Sequence, residues 1–200
     1  KAEDEADPLR EFRNQFYLPA ESIYLDGNSL GLLSKPAEAA VLQMLDDWKL
    51  LAISAWTECE TPWFTFAERL SELLAPMVGA HQQEVIVTNS TSVNLHQILA
   101  TFYRPSGLRR LIVMDELAFP SDIYAVKSHL ERMGLDADTY LRLVPAGSCH
   151  MLELEKLLEA IDTTTALVIL PAVVYTTGQL LNIARIADHA HSVGALTAFD

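Results

Sequence analysis

The sequence predicts an α/β fold, a mostly parallel sheet with helices on both faces, preceded by a helical arm. Three observations predict it. Short apolar runs alternate with helical stretches from about residue 84 onward, the pattern of successive strand–helix–strand units. The runs are continuously apolar rather than alternating, as strands covered on both faces require. The composition, 50% hydrophobic and 20% charged over 200 residues with 8 glycines and 9 prolines, is that of a globular chain.

The elements follow in order. Ser34-Lys35-Pro36 starts a helix, with Ser as cap and Pro in the first turn. Val41, Leu45 and Trp48 then recur at i, i+4 and i+7 and mark one buried face. A turn-rich stretch covers Thr57 to Pro62. Phe66, Leu70, Leu73, Leu74 and Met77 form a second amphipathic helix that stops near Pro76 to Gly79. Beyond it, apolar runs at Glu84–Thr88, Arg110–Met114, Tyr140–Val144, Ala166–Leu170 and Ala195–Phe199 predict strands. Helices are predicted between them at about Ser90–Tyr103, Ser121–Met133, Met151–Ile161 and Asn182–Val193.

Charge and composition exclude several function classes. Fourteen Lys and Arg stand against 27 Asp and Glu, a net charge of −13, which repels nucleic acid unless a basic patch is segregated. The densest basic spot, Arg104, Arg109 and Arg110, is interrupted by Pro105 and Gly107. Cys59 and Cys149 are too few for a disulfide framework, so reduced thiols and a cytoplasmic location are expected. The acidic start, Lys1 to Asp7, lacks the apolar core of a signal peptide. No apolar run approaches the roughly 20 residues of a membrane span. His189 and His191, two apart, cannot share a helix face; they are expected on a helix surface, and no metal site is expected. The glycine-rich dinucleotide and P-loop motifs do not occur.

Ligands of open α/β sheets gather at the carboxyl ends of the strands, and three such ends carry chemistry. Asn89-Ser-Thr-Ser-Val-Asn94 opens a helix whose free N–H groups suit a phosphate, although plain capping explains the same residues. Asp115 to Asp122 places Phe119 beside Pro120 and the capping pair Ser121 and Asp122; it presents a flat ring to a ligand or is a hydrophobic staple. Asp200 is a lone carboxylate after an apolar run, costly to bury without a cationic partner such as a ligand ring nitrogen. A surface aspartate is the alternative.

The wording around these ends resembles the kynureninase family. Tyr24-Leu-Asp-Gly-Asn-Ser-Leu-Gly31, Pro62-Trp-Phe64, Thr91-Ser-Val-Asn-Leu-His96, Phe119-Pro-Ser-Asp-Ile-Tyr-Ala125, Tyr175-Thr-Thr-Gly-Gln179 and Ala190-His-Ser-Val-Gly-Ala195 occur in that family's order, leading into Phe199-Asp200. The resemblance runs from about Leu18 to Asp200. It implies the large domain of a fold-type I pyridoxal-phosphate enzyme, with an arm and part of a small domain over 1–60 and the first part of the large domain over 61–200. It implies that Thr91 and Ser92 bind the cofactor phosphate and that Phe119 stacks on the pyridine ring. It also implies that Pro120 and Ser121 are cofactor-binding and that Asp122 and Asp200 lie near the pyridine nitrogen, with Asp200 the direct partner. Asn28 and Ser29 lie near the substrate.

The activity implied is hydrolytic cleavage of L-kynurenine, 3-hydroxykynurenine or both, to anthranilate or its 3-hydroxy analogue and L-alanine, in a homodimer. The family's Schiff-base lysine lies in a Tyr-Lys pair downstream of the strand aspartate. None of Lys1, Lys35, Lys49, Lys127 and Lys156 matches that pair. The chain is therefore expected to be an N-terminal portion, inactive alone. A cysteine desulfurase-like enzyme of the same fold is a competing reading, weakened because such enzymes stack a histidine where Phe119 stands. A non-catalytic interaction module of the same fold is another.

Overall fold

A computed structural model describes residues 2–200. The chain divides into two compact units, one ending at Val87 and the other running from Thr88 to Asp200.

In the first unit, a short helix α1 (Ala2–Ala6) and a 3-10 turn at Arg10–Gln15 precede helix α2 (Lys35–Leu51). The Ser34 hydroxyl accepts from the Ala37 N–H at 3.2 Å, and Pro36 sits in the first turn, so the predicted start is realised. The predicted burial of one face is not. Val41, Leu45 and Trp48 are all exposed, and α2 has no buried residue. Their spacing specifies an apolar stripe, but a stripe is buried only where another element lies over it. Helix α3 (Phe66–Val78) buries Ser71 and Ala75 and ends at Gly79, whose φ of +66° gives the left-handed cap. The free thiol of Cys59 is buried, donating to the carbonyls of Ala55 and Thr61. Val85 to Thr88 forms no strand. Val85 is extended, but no strand pairs with the run among the described residues, and Ile86 is exposed.

The second unit is the predicted α/β layer structure. Its elements are α4 (Thr91–Phe102), β1 (Leu111–Asp115), α5 (Pro120–Arg132), the single turn α6 (Ala137–Tyr140), β2 (Leu141–Val144), α7 (Leu154–Ala160), β3 (Thr165–Leu170), α8 (Ile183–Ser192) and β4 (Leu196–Phe199). The four strands are parallel in the order β2-β1-β3-β4. Side chains alternate between two cores, as the period of two requires. Ile112 and Met114 with Leu167 and Ile169 face Leu95, Leu99, Val126 and Leu130 of α4 and α5. Val113, Val168 and Leu170 face Leu157 of α7 and Ile186 and Ala190 of α8. β3 is buried at all six positions, which is why its run reads as continuously apolar.

His189 departs from the expected surface position. It is half-buried, its Nε2 lying 3.0 Å from the Ile161 carbonyl oxygen, while His191 is exposed. No helix among the described residues is long and apolar enough to cross a membrane.

The exit from α8 is tightly made. Gly194 has φ +80°, and a Cβ there would lie 2.7 Å from Nη2 of Arg109. That Nη2 donates to the Val193 carbonyl at 3.1 Å, capping the helix from the turn that precedes β1. Gly194→Ala is expected to destabilise the protein by about 1–2 kcal/mol, from the left-handed backbone and the displaced guanidinium. A urea melt measures it.

Candidate functional site

The sheet topology marks a crevice. The helix after β1, α5, lies on one face of the sheet, and the helix after the adjacent β3, α8, lies on the other. Connections that leave neighbouring strands in opposite directions open a crevice at the strands' carboxyl ends, where ligands of such folds sit.

The loop after β1 carries Phe119 to Asp122. Phe119 is the N-cap residue of α5 and makes no side-chain cap, and Pro120 occupies the first turn. The Phe119 carbonyl accepts from the N–H groups of Asp122 and Ile123, so the ring is free to project, and it is 54% exposed. The loop after β3 folds into a tight turn in which the Gly178 N–H donates to the Val174 carbonyl at 2.8 Å. Gln179 braces this turn: its side chain accepts from the Leu152 N–H at 2.8 Å and donates to the Leu152 carbonyl at 2.7 Å. The turn sets the Tyr175 ring against Phe119, centroids 5.4 Å apart at 62°, an edge-to-face pair. Tyr175 belongs to a stretch that carried the resemblance, but sequence alone gave it no place in the site.

The carboxylates at these strand ends differ in burial. Asp122 is buried in the first turn of α5 and accepts from the Ser121 hydroxyl at 3.2 Å. Burial pushes its carboxyl up; the Ser121 bond offsets part of this, and the charge of nearby Asp200 adds to the rise. Asp200 continues the β3–β4 pairing, donating its N–H to Leu170 and accepting from the Ala172 N–H. Asp200 is exposed. The buried, unpartnered carboxylate is Asp115 at the end of β1, 0% exposed, with both oxygens lacking a hydrogen-bond partner. Burial pushes Asp115 up; the N–H groups of Leu117 and Ala118 pull the other way without reaching hydrogen-bond geometry. Its sequence signal was the same as that of Asp200, an acid ending an apolar strand.

Thr91 and Ser92 open α4. The Ser90 side chain makes no cap, so capping does not use up the free N–H groups of that first turn. Asn94 donates to the Thr88 carbonyl at 3.0 Å, folding the loop back over a left-handed Asn89 with φ 38°. The other side-chain atom of Asn94, Oδ1, is buried without a partner. Asn28 and Ser29 belong to the first unit, in a turn where the Ser29 and Leu30 N–H groups both donate to the Asp26 carbonyl. The structure thus brings Phe119, Ser121 and Asp122, after β1, to the same edge of the sheet as Asp200, after β4, with Asp200 close enough for its charge to act on Asp122, and places Thr91 and Ser92 on a neighbouring helix of the same unit.

These residues fit a ligand with an anionic group and a flat cationic ring. An uncapped helix start suits the anion, an exposed aromatic suits the ring, and two neighbouring carboxylates suit the positive nitrogen. Neither Asp122 nor Asp200 takes part in an ion pair among the described residues.

Comparison with known proteins agrees with this architecture. The aminotransferase class-V family model matches residues 23–200. A kynureninase of Geobacillus thermodenitrificans is 52% identical over 98% of this chain and 46% of its own length. One of Bacillus cereus (strain ZK / E33L) is 47% identical with the same coverage. The chain spans about half the length of the curated relatives it matches. Among solved structures, a C-DES mutant with glycine linked to its PLP cofactor has a TM-score of 0.76 at 19% identity, covering 94% of this chain and 49% of that one. A cysteine desulfurase of Thermococcus onnurineus NA1 has a TM-score of 0.72 at 20% identity, covering 95% and 46%. These likenesses concern the fold. With the family model matching most of its length, the chain belongs to the aminotransferase class-V family.

Proposed function

We propose that this chain supplies the cofactor-phosphate and ring-binding part of a kynureninase, a hydrolase that cleaves L-kynurenine, its 3-hydroxy analogue or both, to anthranilate or its 3-hydroxy analogue and L-alanine. The observation that carries the reading is the 52% identity to a kynureninase over 98% of the chain. Pyridoxal phosphate is the cofactor proposed. Once bound, it supplies an electron sink for bond cleavage at the amino-acid substrate.

In this reading Thr91, Ser92 and the N–H groups of the first turn of α4 hold the phosphate. Phe119 covers one face of the ring and excludes water from it, with Pro120 and Ser121 fixing where the ring stands. Asp200 faces the pyridine nitrogen and keeps the proton on it, because a carboxylate beside a ring nitrogen favours the cationic form. Asp122, lifted in part by Asp200, adds to the negative field there. Asn28 and Ser29 contact the substrate. The Schiff-base lysine comes from residues outside these 200, the arm and small-domain part span 1–60, the large-domain part spans 61–200, and the working form is a cytoplasmic homodimer.

Purified full-length protein carrying residues 1–200 is expected to release anthranilate from L-kynurenine and no sulfide from L-cysteine. Sulfide release without anthranilate establishes the desulfurase-like reading instead, and neither product leaves a non-catalytic module.

A further inference from the structure

We propose that Tyr175 is a positioning residue for the Phe119 ring, so that the orientation of the stacking platform is set from across the crevice. The inference rests on the cofactor reading above and deepens it. Phe119 is 54% exposed, so the protein holds little of its ring, and an aromatic ring with few neighbours rotates about its side-chain bonds unless a specific contact fixes it. The contact present is Tyr175, edge-to-face at 5.4 Å and 62°, within the range where such pairs add to plain burial. The two rings come from loops after adjacent strands whose following helices lie on opposite faces of the sheet. The pair therefore bridges the two walls of the crevice.

The turn that carries Tyr175 is fixed. Tyr175 follows Val174, which is buried and hydrogen-bonded to Gln179 at 2.9 Å, and Gln179 is clamped by both of its bonds to Leu152. The backbone that carries Tyr175 is thus braced, so its ring meets Phe119 from a fixed base on the opposite wall. Tyr175 is 55% exposed, and its hydroxyl makes no hydrogen bond among the described residues. The ring, not the oxygen, carries the contact.

The test uses full-length protein titrated with pyridoxal phosphate, reading the dissociation constant and the circular dichroism of the bound cofactor's absorption band. Tyr175→Ala is expected to bind about threefold to tenfold more weakly, the range of one aromatic pair, with the band's dichroism reduced. Tyr175→Phe is expected to match the wild type in both. If the alanine variant does not fold, Tyr175→Leu is read in its place, with the same expectation. An alanine or leucine variant equal to the wild type overturns the proposal. So does a phenylalanine variant as impaired as the alanine one, since the hydroxyl would then matter. A wild-type protein that binds no pyridoxal phosphate overturns the cofactor reading itself, a result separate from either of these.

Discussion

Replacing Asp200 by asparagine is expected to lower kynurenine turnover by the full-length protein on the order of a hundredfold or more, the scale seen when one preorganised charge contact is removed from a reacting centre. The amide has nearly the shape of the carboxylate but cannot hold a proton on a ring nitrogen by charge. The Asp122–Asp200 relation gives the prediction a second readout that needs no substrate. Asp122 is raised first by burial and then by the neighbouring charge of Asp200. Removing that charge must therefore lower the titration midpoint of Asp122, which carbon-detected NMR of the cofactor-free protein follows. Turnover within twofold of wild type together with an unmoved Asp122 would show that Asp200 serves neither role.

The second large effect concerns stability. Asp115 is fully buried with neither oxygen partnered, and burial holds its folded-state carboxyl above the ordinary 3.8. A group whose folded value is raised binds its proton more tightly in the folded state. Its favourable contribution is complete below the unfolded value and is lost as pH rises through the folded one. Wild-type stability should thus fall, relative to Asp115→Asn, as pH climbs above about 3.8. The difference should reach about 1–3 kcal/mol by pH 8, the usual cost of a buried polar group without a partner. Urea melts of both proteins at pH 4, 6 and 8 measure it, and the comparison cancels the similar slope from Asp122. A variant that is less stable than wild type at pH 8 would mean that Asp115 has a cationic partner.

Most of the second unit was legible in the sequence because its strands are buried on both faces. Runs such as Arg110–Met114 and Ala166–Leu170 have no solvent side to encode, and the strands lie within a residue of those runs. The same signal failed at Val85–Thr88, since apolar character makes a strand possible but only a neighbouring strand completes it. The stripe on α2 failed for a related reason. Val41, Leu45 and Trp48 encode a face and not what covers it.

The site was legible where chemistry and position coincide, at the polar opening of α4 and at Phe119 to Asp122. It was not legible where two distant segments meet. Tyr175 lies 56 residues beyond Phe119, and only the parallel pairing of β1 with β3 brings their loops together. Asp115 and Asp200 show how one signal divides, because both end apolar strands. Packing buries the first, and the second lies near Asp122.

The most direct test is a titration of cofactor-free full-length protein with pyridoxal phosphate in the presence of L-kynurenine, following anthranilate fluorescence. The proposed function predicts no release without cofactor and a rise that saturates at one pyridoxal phosphate per chain. Absence of anthranilate at every cofactor concentration would contradict it.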